Sequence, residues 1–400
     1  MRPIRAVIDG AAARRNLQVV RRAAPAARVM AVVKADGYGH GVLRIAQALR
    51  ALPAMNGPVA GGAGPDEGEG PGGREGPDGC EGPDGCDAPD GCEAPDGCAV
   101  VELEQAVRLR EAGVRQPILV LPGCFDAAEL EVFARHRIDT VVHDPAQVDW
   151  LCAARLPRPV AAWVKLNTGM NRLGFRPDAL ADVLARLAAA NCVDVRAVMT
   201  HFACADDATG IAEPFALFDR TTTACGLVRS CANSATILRY PAAALDWVRP
   251  GIMLYGCSPF ADRTADSLGL APVMTLTSRI VAVQSVAAGE IIGYGASFRA
   301  DHPLRVGVVA CGYADGYPRH APTGTPVLVD GRPSRTLGRV SMDLLCVDLT
   351  GFDDAGPGTE VTLWGEGLSA DTVAAAAGTI SYEMLCALAR RVPGVVRDPA

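Results

Sequence analysis

Eight short apolar runs recur along the first two thirds of the chain, at about residues 27–35, 98–102, 117–122, 138–143, 159–167, 194–202, 228–233 and 248–255. Their near-continuous hydrophobicity is what a strand shows when both of its faces are covered, as in a parallel sheet flanked by helices. The segments between them carry helical spacing. In "VELEQAVRLREAG", Leu103, Ala106, Val107 and Leu109 are apolar, charges fill the gaps, and Gly113 supplies the stop. Strand and helix in eightfold alternation predict a (β/α)8 barrel over residues 1–268. Beyond residue 268 the texture changes to alternating runs broken by turn pairs, among them Asp330-Gly331 in "TPVLVDGRPSRTLGRV". The expected fold class is therefore α/β, an N-terminal (β/α)8 barrel followed by a mostly β C-terminal domain over 269–400.

Residues 55–97 interrupt this pattern. They hold eleven Asp and Glu against one Arg, have no aromatic residue, and end in "EGPDGCEGPDGCDAPDGCEAPDGC", four copies of a six-residue unit. Pro-Asp-Gly is a turn signal, and a segment with so little apolar surface cannot offset its ordering entropy, so a flexible loop is expected, with a tandem duplication without function as the alternative. It precedes the second strand, in a helix-to-strand connection, hence on the barrel face opposite to the one that builds active sites. Cys80, Cys86, Cys92 and Cys98 could converge on a soft metal, but five residues between each pair is not the zinc pattern, and no metal is expected. The other ten cysteines stand mostly among apolar neighbours and read as small buried hydrophobes.

The net charge of −7 is dominated by this insert, which carries −10 and leaves about +3 of mixed charge elsewhere. There is no basic tract for nucleic acid. Arg5 and Asp9 stand where a secretion signal needs an apolar core, and no stretch nears the roughly 20 apolar residues that span a bilayer. A cytoplasmic protein without nucleic-acid or membrane partners is expected.

"AVVKADGYGHG", residues 31–41, ends a strand in Lys34 and breaks into Gly37 and Gly39 around Tyr38. Strand-end lysines are ordinarily solvated and inert. At the mouth of a barrel, partly desolvated, a lysine loses its proton more easily and can serve as a Schiff-base lysine. Pyridoxal 5′-phosphate is the cofactor to test. Its phosphate needs N–H groups and hydroxyls, which the last two strands offer in "CANSA", with Ser234, and "VRPGIMLYG", with Gly251 and Ile252.

Nine motifs occur in order from the first residue to about Val396, with the insert omitted: "AVVKADGYGHG", "KLNTGMNRLGF", "THFACADD", "CANSA", "VRPGIMLYG", "GYGASF", "GYADGYPR", "GRVSMD" and "SYEMLCALARRVP". In their combination the chain resembles the bacterial alanine racemases, of the fold-type III pyridoxal phosphate family. The resemblance implies a cytoplasmic homodimer that interconverts L- and D-alanine and supplies D-alanine for peptidoglycan. It implies that Lys34 anchors the cofactor and returns as one catalytic base, with Tyr294 as the other. Removing a proton from one face and replacing it on the other is economical with two groups on opposite sides. A free tyrosine is a weak base at neutral pH and needs a perturbing neighbourhood, which the resemblance supplies as His201, itself near Arg249, with Tyr294 coming from the partner subunit.

By the same resemblance Tyr38, Ser234, Gly251, Ile252 and Tyr382 contact the phosphate side. Arg172 binds the cofactor's phenolic oxygen and the substrate carboxylate, Met342 and Asp343 reach in from the partner, and Asp315 and Arg319 line the way in. Arg249 faces the pyridine nitrogen, where an arginine stays charged and can only donate, which weakens the ring as an electron sink. Two positions depart from the family. Lys165 aligns with a lysine that some members carry as a carbamate, but Asn167 stands where aspartate is common, and Cys98 replaces an aromatic. The alternatives are a broader-specificity amino-acid racemase, a decarboxylase of the same plan, and a non-enzymatic barrel that stores or senses the cofactor. Decarboxylases of that kind put a glutamate at the ring nitrogen and lack the paired tyrosine, and storage barrels lack the C-terminal half.

Overall fold

A computed structural model describes residues 2–52 and 94–397. The chain opens with strand β1 (Arg5–Asp9) and a helix over Gly10–Ala23, whose first turn is capped by the Asp9 carboxylate accepting from the Ala12 N–H at 2.8 Å. Eight parallel strands follow, alternating with helices: β2 (Arg28–Val32), β3 (Gly97–Val100), β4 (Ile118–Val120), β5 (Asp139–Val142), β6 (Val160–Lys165), β7 (Val193–Met199), β8 (Val228–Ala232) and β9 (Trp247–Val248). They close on themselves when β9 pairs with β2, Arg28 opposite Trp247 and Val29 opposite Val248. Strands β3 to β6 are buried at every position, which is why they read as unbroken apolar runs.

The expected eighth run, 248–255, divides. Only Trp247 and Val248 are strand, because Pro250 has no N–H to give the ladder, and Ile252–Tyr255 instead forms a 3-10 turn at the barrel mouth.

The second layer is an eight-stranded sheet of β10 (Met274–Val286), β13 (Leu304–Val309), β14 (Pro326–Val329), β15 (Arg332–Leu337), β16 (Leu345–Asp348), β17 (Glu360–Trp364), β18 (Gly394–Arg397) and β1, while β11 (Ile291–Ile292) and β12 (Phe298–Arg299) make a separate ribbon. Asp330 and Gly331 join β14 to β15 with φ of 48° and 73°, the left-handed pair that a two-residue hairpin requires. Residues 5–9, which the sequence groups with the barrel segment, are part of this sheet: β1 lies antiparallel to β10 and parallel to β18.

The insert joins the barrel beside the start of β2. Asp96 accepts from the Val29 N–H at 2.7 Å and pairs with Arg21 at 2.8 Å, and Arg21 also donates to the Ala94 carbonyl. Gly97 has no Cβ because one would sit 2.8 Å from the Met30 sulfur. Cys98 is fully buried in β3, where burial pushes its thiol up to about 12. Cys80, Cys86 and Cys92, and the expected loop around them, lie outside the described residues. Among the described residues no helix is long and apolar enough to cross a membrane, and no cluster of three His, Cys, Asp or Glu could hold a metal ion.

Candidate active site

Lys34 follows β2 by two residues, half-buried at the C-terminal mouth of the barrel. After it the backbone runs left-handed: Ala35, Asp36, Gly37, Tyr38 and Gly39 have φ of 52°, 51°, 64°, 51° and 78°. Each non-glycine in that region costs about 1–2 kcal/mol. At Gly39 the requirement is also steric, since a Cβ would fall 2.0 Å from the Leu385 carbonyl oxygen. The turn delivers the buried Tyr38 ring onto Tyr255, 4.5 Å between centroids, and within 6.2 Å of Tyr382 on the Ser381–Cys386 helix.

Beneath Tyr38 the two last barrel loops meet. The Ser234 hydroxyl accepts from the N–H groups of Gly251, at 2.9 Å, and Met253, at 3.5 Å. A Cβ on Gly251 would stand 2.6 Å from the Tyr38 hydroxyl, so the glycine is what lets that hydroxyl approach the backbone. Ile252, buried, starts the 3-10 turn, and the Tyr255 hydroxyl fixes its far end by donating to the Val32 carbonyl at 3.0 Å.

Beside this cradle is a group of basic side chains with no carboxylate in ion-pair distance among the described residues. Burial, and then the Arg172 charge, lower the Lys34 pKa from its ordinary value. Burial, then Arg249, Arg172 and Lys34, push Lys165 down to about 8. The same forces, burial first and Arg249 next, push His201 down to about 3, which leaves its imidazole neutral. Arg249 is 4% exposed and is held by neutral groups alone, donating to the Ser230 hydroxyl and, at 2.5 Å, to the Thr200 carbonyl. Burial lowers it to about 10, so it remains charged at neutral pH. An excess of positive charge around an amine that gives up its proton readily is a setting for an anionic, carbonyl-bearing ligand.

The structure thus brings together Lys34, Lys165, Arg172, His201 and Arg249 on one side and Tyr38, Ser234, Gly251, Ile252 and Tyr382 on the other. It does not bring Tyr294, Met342 or Asp343 to them. Tyr294 is 70% exposed on a turn between β11 and β12, flanked by Gly293 and Gly295 at φ of 79° and 71°. Met342 is 54% exposed, and the exposed Asp343 pairs with Arg391 at 2.6 Å. Among the described residues no hydrogen bond, ion pair or ring contact joins these three to the Lys34 group. Asp315, expected to line the way in, is instead wholly buried, accepting from Arg2 at 2.5 and 2.8 Å and from Arg391 at 2.8 Å, because two cations from distant segments converge on it. Arg319 stacks over the Tyr313 ring at 6.0 Å.

Sequence reasoning missed the supports. Ser230 and Thr200 brace Arg249, and their own hydroxyls are oriented by the Trp247 and Leu166 carbonyls at 2.9 Å each. Glu102, whose Oε2 is buried without a partner, raises the Lys34 pKa against the other influences. Serine and threonine at strand ends carry no local signal of the arginine they will meet.

The family model "Alanine racemase, N-terminal domain" matches residues 8–55 and 91–259, and "Alanine racemase, C-terminal domain" matches 273–396. The gap between 55 and 91 falls within the insert. An alanine racemase of Nitrosomonas europaea is 50% identical over 404 residues, 100% of this chain and 99% of that one. A catabolic alanine racemase of Salmonella typhimurium is 45% identical over 395 residues, covering 98% and 99%. The crystal structure of the biosynthetic alanine racemase from Pseudomonas aeruginosa superposes with a TM-score of 0.86 at 41% identity, covering 100% of both chains. With both domains matched in order and relatives similar from end to end, the chain belongs to the alanine racemase family.

Proposed function

We propose that this chain interconverts L- and D-alanine with pyridoxal 5′-phosphate held at the barrel mouth, and that it works as a homodimer. The observation that carries the reading is the Lys34 amine, of lowered pKa, standing in a basic cluster with no carboxylate in ion-pair distance among the described residues, next to the Tyr38, Ser234 and Gly251 cradle. That donor set fits a phosphorylated aldehyde. Lys34 would hold the aldehyde carbon, the Gly251 and Ile252 backbone with the Tyr38, Ser234 and Tyr382 hydroxyls would hold the phosphate, and Arg172 would hold the phenolic oxygen and the substrate carboxylate. When bound, the cofactor supplies an electron-withdrawing ring that acidifies the substrate's α-proton.

The chain's own residues do the rest. Lys34, with its lowered pKa, can take and return a proton at Nζ on one face of the site. Arg249 presents only N–H donors and keeps its charge, which disfavours protonation of a ring nitrogen beside it and suppresses side reactions. A second base is needed on the opposite face, and in one chain Tyr294 is out of reach. It is exposed, as are Tyr313, Met342 and Leu344, and those three are drawn together by the Tyr313 N–H on the Ser341 carbonyl, the Ala314 N–H on the Met342 carbonyl and the Ser341 N–H on the Leu344 carbonyl. Apolar residues gathered at one surface are what a subunit contact covers. Covering these exposed residues with a second copy would bring the partner's Tyr294, Met342 and Asp343 to the site and place Tyr294 against the neutral His201.

The test is to load the purified chain with the cofactor, reduce it with borohydride, map the modified peptide and follow D-alanine formed from L-alanine. Modification at Lys34 with racemisation supports the reading. Modification elsewhere, or a fixed cofactor with carbon dioxide released in place of D-alanine, would overturn it.

A further inference from the structure

The left-handed turn after Lys34 raises a question the reaction does not answer: what keeps five successive residues, three of them with side chains, in a region that L-residues visit singly? The main chain contributes ordinary bonds, Gly37 N–H to the Val33 carbonyl at 2.9 Å and Gly41 N–H to the Asp36 carbonyl at 2.8 Å. Two side chains do more. The Asp36 carboxylate accepts from the Val42 N–H at 2.8 Å, fixing the turn to the helix that follows. His40, completely buried, puts Nδ1 at 3.0 Å from the Gly37 carbonyl and 2.9 Å from the Tyr38 carbonyl.

Both partners of Nδ1 are acceptors, so the proton sits there and Nε2 keeps its lone pair. That lone pair is buried with no partner. The ring is neutral, its pKa pushed down to about 4 chiefly by burial, and it packs 4.8 Å from the Tyr255 ring. A leucine would fill the space without an unmet ring nitrogen but would leave the Tyr38 carbonyl without its donor, so the imidazole carries a cost at Nε2 that is offset by what Nδ1–H does for the turn.

We propose that His40 is a positioning residue: by donating from Nδ1 to the carbonyls of Gly37 and Tyr38 it locks the left-handed turn and so aims Lys34 and Tyr38 into the site. Without the lock the turn relaxes toward right-handed geometry, Tyr38 leaves Tyr255 and the Gly251 backbone, and Lys34 rotates with it. This rests on the reading of Lys34 and Tyr38 as cofactor-facing residues.

The experiment compares pyridoxal phosphate dissociation constants of the full-length apo chain in the wild type, His40→Asn, His40→Leu and the double variant Ala35→Gly/His40→Leu, with circular dichroism to establish folding. His40→Leu should weaken binding about tenfold, the equivalent of one buried hydrogen bond. His40→Asn, which can still donate, should stay within roughly threefold of wild type. Ala35 is exposed and a glycine there takes φ of 52° freely, so the double variant should recover most of the loss. Wild-type binding in His40→Leu, or a double variant no better than His40→Leu, would overturn the proposal, since a space-filling histidine is not rescued by freeing Ala35. If His40→Leu does not fold, a double variant that folds and binds supports the lock and one that does not overturns it. A wild-type chain that takes up no cofactor would remove the underlying reading instead.

Discussion

Replacing Asp139 with asparagine should stabilise the protein, and by an amount that depends on pH. Asp139 starts β5 at the closed end of the barrel, away from Lys34, 5% exposed, and accepts one hydrogen bond from the Trp163 indole at 3.1 Å. Burial raises its pKa to about 6, against the lowering influence of Trp163, Arg196 and Arg110. The unfolded value is about 3.9, so between pH 4 and 6 the folded state binds more protons than the unfolded state and stability falls as pH rises through that window. A difference of about 2 units corresponds to roughly 3 kcal/mol lost by pH 8, of which about half is already lost at pH 5. Asparagine keeps an oxygen for Trp163 and carries no charge. Its advantage over aspartate should therefore grow by about 1–1.5 kcal/mol between pH 5 and pH 8 in paired urea titrations. Any constant penalty for the amide hydrogens cancels in that comparison. An advantage that is flat or shrinks with pH would refute the burial argument, whatever its absolute size.

Gly251→Ala should weaken pyridoxal phosphate binding at least about tenfold in a fluorescence titration, with little change in melting, because its Cβ displaces the Tyr38 hydroxyl from 2.6 Å. Asp315→Ala should cost about 2–3 kcal/mol at neutral pH by denaturant titration, discounted from the buried-pair range because Arg2 and Arg391 are partly solvated. Burial alone would raise the Asp315 pKa, but the bonds from Arg2, Gly312 and Arg391 hold it below the ordinary carboxylate value, so its contribution is intact above about pH 4 and lost only on further acidification. Deleting residues 75–92, three copies of the repeat, leaves the Arg21–Asp96 anchor and should change stability by about 0.5 kcal/mol, with D-alanine formation unaltered; a loss of activity would make the insert functional.

The barrel was legible because parallel strands buried on both faces write themselves as apolar runs, and Asp330-Gly331 because only a few residue pairs accept two left-handed positions. Strand β1 was not, since its partners Thr277 and Gly394 lie hundreds of residues away and backbone pairing leaves no mark on five ordinary residues. Gly37 and Gly39 announced a sharp turn after Lys34, but nothing in Ala35, Asp36 or Tyr38 says they join it. Lys34, Arg172 and Arg249 stand in motifs that single them out as candidates. That Arg249 would be held by a serine and a threonine carbonyl, and Asp315 by two distant arginines, is decided by which loops the closed fold brings together.

The pairing of β1 with β18 also sets a timetable. Ala6 lies beside Gly394 and Val7 beside Val395, so the strand made first receives one of its neighbours last. At about 5–20 residues per second, a ribosome separates the two by roughly 20–80 seconds. Strand β10 can cover one edge of β1 once residue 286 is made, but until β18 follows the other edge keeps its N–H and C=O groups unpaired, an open template for any other nascent strand. The arrival of β18, rather than closure of the barrel, is then the event that ends the vulnerability of that edge to misassembly.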